Sequence, residues 1–309
     1  MKYFFVLFSF LLSGVVYGQG VVKKPAPSDA RLLTSADDKK TEDDKSEVKN
    51  NDPELKNLQW NRYATKNFTI LSIDDDKGKK LSENIEFIKD KCLTRWGFPD
   101  VKFSKECRIF CVPNYDLLRK LFNLTASKTQ LRKDLNVIWL VLDDDLLKSV
   151  EPYVTLVAFN EYEIEENTTL PLWFKRGAFV LNNDTEVVRQ NLKSFYDSAR
   201  KESFSHNAEQ MFSFTDEEYN KQNVEGKRIF DMQAAYLALL LRKEFGEVKL
   251  QGFLRLQSKN KVDSVLQVVY GFKNYDQFDK NYVQFMKDLG ARLNDSKVPD
   301  SYLTVTAVQ

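Results

Sequence analysis

Residues 230 to 247, FDMQAAYLALLLRKEFGE, constrain the fold more than any other stretch. The segment is apolar around most of its helical circumference, and Gly246 is placed to stop it. A helix of that kind cannot lie on a surface, so it is expected at the centre of the molecule. VKLQGFLRLQ, VDSVLQVVYG and YDQFDKNYVQFMKDL follow it, each reading as a further helix set off by a polar break.

Upstream the pattern changes. Lys66 to Ile73 alternates as a strand and ends at Asp74-Asp75-Asp76-Lys77-Gly78. Leu81, Ile85, Ile88 and Cys92 have helical spacing, with Gly97 and Pro99 closing the run. CRIFCVP reads as a strand, Tyr115 to Phe122 as a short helix, and Asn136 to Leu142 as a buried strand. After Asp145 the pattern is wholly helical. Pro152 is expected near a helix start, and Leu172 to Leu181 reads as a second helix. Strands separated by helices predict an α+β fold: a small mixed sheet with helical cover, followed by an all-helical C-terminal part.

Composition divides the chain further. Residues 1–18 have a basic start, an apolar run from Tyr3 to Leu12 and small residues before Gln19, which is the pattern of a cleavable signal peptide. The apolar run is shorter than the roughly 20 residues a spanning helix needs, although an N-terminal anchor is the alternative. No cysteine follows it closely, which excludes a lipoprotein. Residues 19–58 are rich in Lys, Asp, Glu, Ser and Pro and read as a charged, disordered linker. The folded domain is expected over 59–290, with an α/β part at 59–148 and a helical part at 149–290, and 291–309 as a tail. The implied location is secreted or periplasmic, with no transmembrane segment in the mature chain.

The net charge of +1 is not concentrated in any segment, so nucleic acid is excluded as a partner. The three cysteines allow one bridge at most. Cys107 and Cys111 share one face of a strand about 13 Å apart, too far to bridge each other. Cys92 could pair with Cys107 or Cys111, or all three could be buried thiols.

LPLWFKRGAFVL (residues 170–181) resembles the Leu-Pro-x-Trp-x-x-Glu-Gly-x-Ala segment of the peptidase MA-like fold, the gluzincin branch of zinc metallopeptidases. Residues 234–286 are similar to that family's closing helices. The resemblance covers about residues 66 to 289 and implies a metallopeptidase-like architecture. Family enzymes hold zinc with His-Glu-x-x-His on one helix and a Glu on the next, because residues i and i+4 share a helix face. Laid on this chain, the first motif falls on Asn160 to Ile164. Glu161 then matches the general base, while Asn160 and Ile164 stand where the His ligands belong and Arg176 replaces the third ligand. An amide is a poor zinc ligand, an isoleucine is none, and a guanidinium is a permanent cation. The resemblance therefore implies a degenerate site, with no metal, no cofactor and no catalytic residue. Arg176 could pair with Glu161 across it, or with Glu163 or Glu165 if the alignment slips by a turn; the alternative is that both side chains are simply exposed on helix surfaces.

Other signals are weaker. His206, the only histidine, lies in the polar loop KESFSHNAEQ and reads as solvated. Asp143-Asp144-Asp145 could offer oxygen ligands to calcium but reads as a solvated turn. Glu161 with Glu163 or Glu166 could form a glycosidase pair. Asn67, Asn123, Asn167, Asn183 and Asn294 open Asn-x-Ser/Thr sequences. Two function classes follow. One is an exported, inactive metallopeptidase-like protein that binds an extended polypeptide or another exported protein, or acts as a scaffold. The other is a hydrolase, peptidase or carboxylate glycosidase, with an unrecognised site.

Overall fold

The computed structural model describes residues 58–122, 129–132, 136–202 and 206–304. The expected signal peptide, nearly all of the linker, and Asn123 lie outside the described residues. The described part is α+β. Strands β1 (Asn61–Ala64), β2 (Phe68–Ser72), β3 (Cys107–Val112), β4 (Thr129–Arg132) and β5 (Val137–Val141) form one sheet in the order β1-β2-β3-β5-β4. The central β2, β3 and β5 are parallel, with Phe68 opposite Cys107 and Arg108 opposite Val137. The edge strands β1 and β4 are antiparallel to their neighbours.

Period-two alternation divides the strands between two cores. Ile70, Cys107, Ile109, Cys111, Ile138 and Leu140 face the main core. Helix α1 (Asp75–Arg95) supplies Leu81, Ile85, Ile88 and Cys92 to the same core, starting at Asp74, whose carboxylate accepts from the Lys77 N–H. Val112, Val137 and Trp139 face the opposite side, where α2 (Tyr115–Phe122) covers them with Leu118. The three cysteines are free, buried thiols, not a bridge. Burial pushes the Cys92 thiol up to about 12, with Glu151 acting in the same direction.

The helical part opens with α3 (Leu146–Glu165) and α4 (Leu172–Leu181). Helix α3 starts before Pro152, which lies in its interior rather than at its start. The buried run from Val154 to Phe159 holds the helix together through that missing N–H. Helices α5 (Thr185–Glu202), α6 (Ala208–Ser213) and α7 (Asp216–Lys221) lead to the central α8 (Val224–Leu239). Every residue from Phe230 to Leu241 is buried, as the apolar circumference requires. A π-helical turn over Leu240–Glu244 and Gly246, at φ 90°, end the run. Helix α4 crosses α8 at Gly177, where a Cβ would stand 2.5 Å from the Ala234 carbonyl oxygen.

Helices α9 (Glu247–Gln257), α10 (Val262–Tyr270), α11 (Tyr275–Asn294) and α12 (Asp300–Leu303) complete the chain. The segment expected as a tail from 291 begins inside α11, and Val298 and Leu303 are buried in the main core. Arg189 donates to the Val298 carbonyl at 2.8 Å. The domain therefore extends through residue 304. Among the described residues no helix is long and apolar enough to cross a membrane.

Candidate functional site

The turn between α3 and α4 is built from the residues the sequence singles out. Asn167 takes φ 45°, which asparagine tolerates, and Pro171 leads into α4 with extended φ and ψ. Glu163 ties the turn together: its carboxylate accepts from the Leu170 N–H at 2.6 Å and from the buried Lys175 ammonium at 2.9 Å. An ion pair does link the two helices, but it joins Glu163 to Lys175.

Glu161 does not meet Arg176. It is buried, and its carboxylate accepts from the Ser104 N–H at 2.5 Å and from the Asn136 side-chain amide. Asn136 has φ 48°, so the turn before β5 aims its amide at helix α3. Both bonds fasten α3 to the loops that lead into β3 and β5, a structural use of the carboxylate. Asn160 is half-buried and Ile164 is 60% exposed at the end of the helix. The four positions expected to converge therefore do not form one site.

Arg176 is the centre of a different cluster. Its Nε donates to Asp231 Oδ1 at 2.7 Å and its Nη2 to Oδ2, a bidentate pair with a residue of α8. The guanidinium carbon lies 4.7 Å from the Phe179 ring centroid and 4.8 Å from that of Tyr219. The Tyr219 hydroxyl donates to Asp231 Oδ2 at 3.1 Å. Burial works against the Arg176 charge, but the hydrogen-bonded carboxylate outweighs it and the pKa moves up. Burial also raises the Tyr219 phenol.

The α3 residue in this cluster is Tyr153. Its ring meets Phe179 edge-on at 5.2 Å, and the Arg176 charge opposes the rise that burial imposes on its phenol. Tyr153 lies eight residues before Glu161, about 12 Å along the helix. The expected pairing fails because the α3 residue beside Arg176 is Tyr153, while the Glu161 carboxylate is held by Ser104 and Asn136. One signal for the true partner stands in the sequence. Asp231 is the only acid between Phe230 and Leu241, and an ionisable group in so apolar a helix requires a partner.

The remaining candidates are also in structural use. His206 is docked rather than solvated. Its ring is edge-on to Phe214 and Phe230, with Nδ1 3.1 Å from the Gln233 side-chain oxygen. Asp143, Asp144 and Asp145 are exposed in a turn, and Asp143 accepts from the Ser149 hydroxyl. Glu161 and Glu163, two members of the proposed glycosidase pairs, are committed as described. Of the Asn-x-Ser/Thr asparagines, Asn67 is buried and bonded to Glu86, Asn183 to the Phe179 and Val180 carbonyls, and Asn294 to Asp197. Asn167 is exposed. Among the described residues, no group of three or more His, Cys, Asp or Glu side chains is arranged to hold a metal ion.

Compared with known proteins, the sequence matches no family model, and no curated protein matches it.

Proposed function

We propose that this chain is an exported, catalytically inactive member of the peptidase MA-like fold that works by binding an extended polypeptide. Export rests on the N-terminal eighteen residues. Support for the fold reading comes from the order of elements: a mixed sheet with an antiparallel edge strand, a long helix, a turn, and a helix bearing Leu-Pro-x-Trp-x-x-Arg-Gly. Among the described residues, strand β4 pairs only with β5, and it packs against α3. An edge strand in that position can take up an extended chain through backbone hydrogen bonds.

Inactivity rests on the closed Arg176–Asp231 pair. In this reading Arg176 replaces the acidic third ligand, and Tyr153 and Val157 stand in place of the two His. That moves the motif two turns upstream of Asn160–Ile164. A locked cation, a phenol and an aliphatic chain offer a zinc ion no competent ligand set.

The test is metal analysis of the purified full chain after exposure to zinc, with digestion of an unfolded protein substrate. Sub-stoichiometric zinc and an intact substrate are expected; one zinc per chain with chelator-sensitive cleavage would overturn inactivity. The corrected register has its own test. The triple variant Tyr153→His, Val157→His, Arg176→Glu should gain zinc binding that the triple variant Asn160→His, Ile164→His, Arg176→Glu lacks. Polypeptide binding is checked by hydrogen exchange, where added extended peptides should protect amides of residues 129–132. Unchanged exchange there with saturating peptide rejects the edge-strand mode.

A further inference from the structure

At the C-terminal end of α3, the α3–α4 turn and the last turn of α9 border an open cleft of about 280 Å³. Its polar groups differ from those around Arg176 in one respect: they are not bonded to one another. Tyr162 is nine-tenths buried, with its ring 4.5 Å from that of Phe98, and it lines the cleft. Its hydroxyl has no hydrogen-bond partner among the described residues. The ring is buried but the hydroxyl is not sealed from solvent, so at the wall of the cleft a ligand atom can take the place of water as its partner.

The rest of the lining indicates what that ligand carries. The Arg255 guanidinium, on the last turn of α9, and the Lys259 ammonium, in the turn just past its end, both line the cleft, and neither makes an ion pair or side-chain hydrogen bond among the described residues. The Asn167 amide and the Thr168 hydroxyl are equally unengaged on the turn. Glu166 supplies one carboxylate, close enough to Tyr162 to act on its phenol together with Arg255. A guanidinium fork matches a carboxylate with two parallel hydrogen bonds, and an ammonium on the same cleft adds to the attraction. Glu166 calls for the opposite on the ligand, a hydrogen-bond donor beside that carboxylate. The volume lies just below the range of drug-sized pockets, about 300–1,000 Å³, and suits one residue better than a long segment.

We propose that this cleft binds a carboxylate carried next to a peptide-type N–H, as in an N-acylated amino acid or the C-terminal residue of a polypeptide. Arg255 and Lys259 hold the carboxylate, Tyr162 and Thr168 donate to it, and Glu166 accepts the adjoining N–H. The assignment stands on the cleft alone and is independent of the fold-family reading.

Calorimetric titration of the full chain with N-acetylalanine and with acetylated tetra-alanine, each as the free acid and as the C-terminal amide, tests it. The acids should saturate, with the amides at least about ten-fold weaker. Arg255→Gln should weaken acid binding about ten-fold, the loss of one charge-assisted pair, and Tyr162→Phe about three- to ten-fold. Arg255 is exposed and Tyr162→Phe removes only an oxygen, so both variants should keep the fold. Equal affinity for both acids assigns the site to a free small acid; tighter binding of the longer one assigns it to a polypeptide end. The proposal is overturned if amides bind as well as acids, if Arg255→Gln changes nothing, or if neither acid saturates by about 10 mM.

Discussion

Around Arg176 the charged groups finish on partners inside the protein, whereas the cleft beside Arg255 is lined by charges that finish on none among the described residues. Both clusters adjoin α3, one at Tyr153 and the other at Tyr162. The Arg176 cluster is largely withdrawn from water, with 17% of the Arg176 and 12% of the Asp231 side chain exposed, and Asp231 and two aromatic rings replace most of the lost hydration. Arg255, Lys259 and Glu166 are exposed and hydrated, so the fold imposes no such requirement on them. A strongly partnered charge is therefore a structural feature, and an unpartnered one in a cleft is available for recognition.

The sharpest way to break this contrast is at Asp231. Asp231→Ala leaves a buried guanidinium unpaired and should cost about 3 kcal/mol, the low end of the range for a broken buried pair because some solvent reaches it. Denaturant titration checks this, and the double variant Arg176→Leu/Asp231→Leu should lose much less. Equal losses for the single and double variants would mean that the pair is not a closed unit.

Glu161→Ala comes next. It strips the acceptor from the Ser104 N–H and the Asn136 amide and should lower stability by about 2–4 kcal/mol, from two donors left unsatisfied. A fall in the unfolding midpoint is expected; wild-type stability would return Glu161 to the list of functional candidates.

Gly177→Ala should cost about 1–3 kcal/mol, since the added methyl meets the Ala234 carbonyl at the closest approach of α4 and α8. The structural reason for a glycine at 177 is helix contact.

The smallest effect is predicted in the open cleft. Arg255→Gln should move stability by no more than about 0.5 kcal/mol. A loss above 1 kcal/mol, measured the same way, would show that the cleft is a structural cluster after all.

Elements with strong patterns were legible from residues alone: β2 by alternation, β3 and β5 as short strand-like runs, α1 by its stripe from Leu81 to Cys92, and α8 by its apolar circumference. The edge strands β1 and β4 were not, because NRYA and TQLR are short and mixed, and pairing with a neighbour makes them strands. Helix α5 carries Val188, Leu192 and Phe195 at helical spacing, but its polar surface gives it no fixed place in the fold. The Glu163–Lys175 link was within reach, since only a tight turn separates the two residues.

The sequence by itself determined the α+β class and the burial of the 230–241 helix, because these depend on local pattern and residue chemistry. Only the tertiary structure decided that Arg176 closes on Asp231, fifty-five positions away, while Glu161 turns to Asn136. Helical spacing specifies which residues share a face, but the angle at which one helix crosses another selects the face that meets a given charge. That angle is set by contacts such as Gly177 on Ala234, which arise only when the whole core packs.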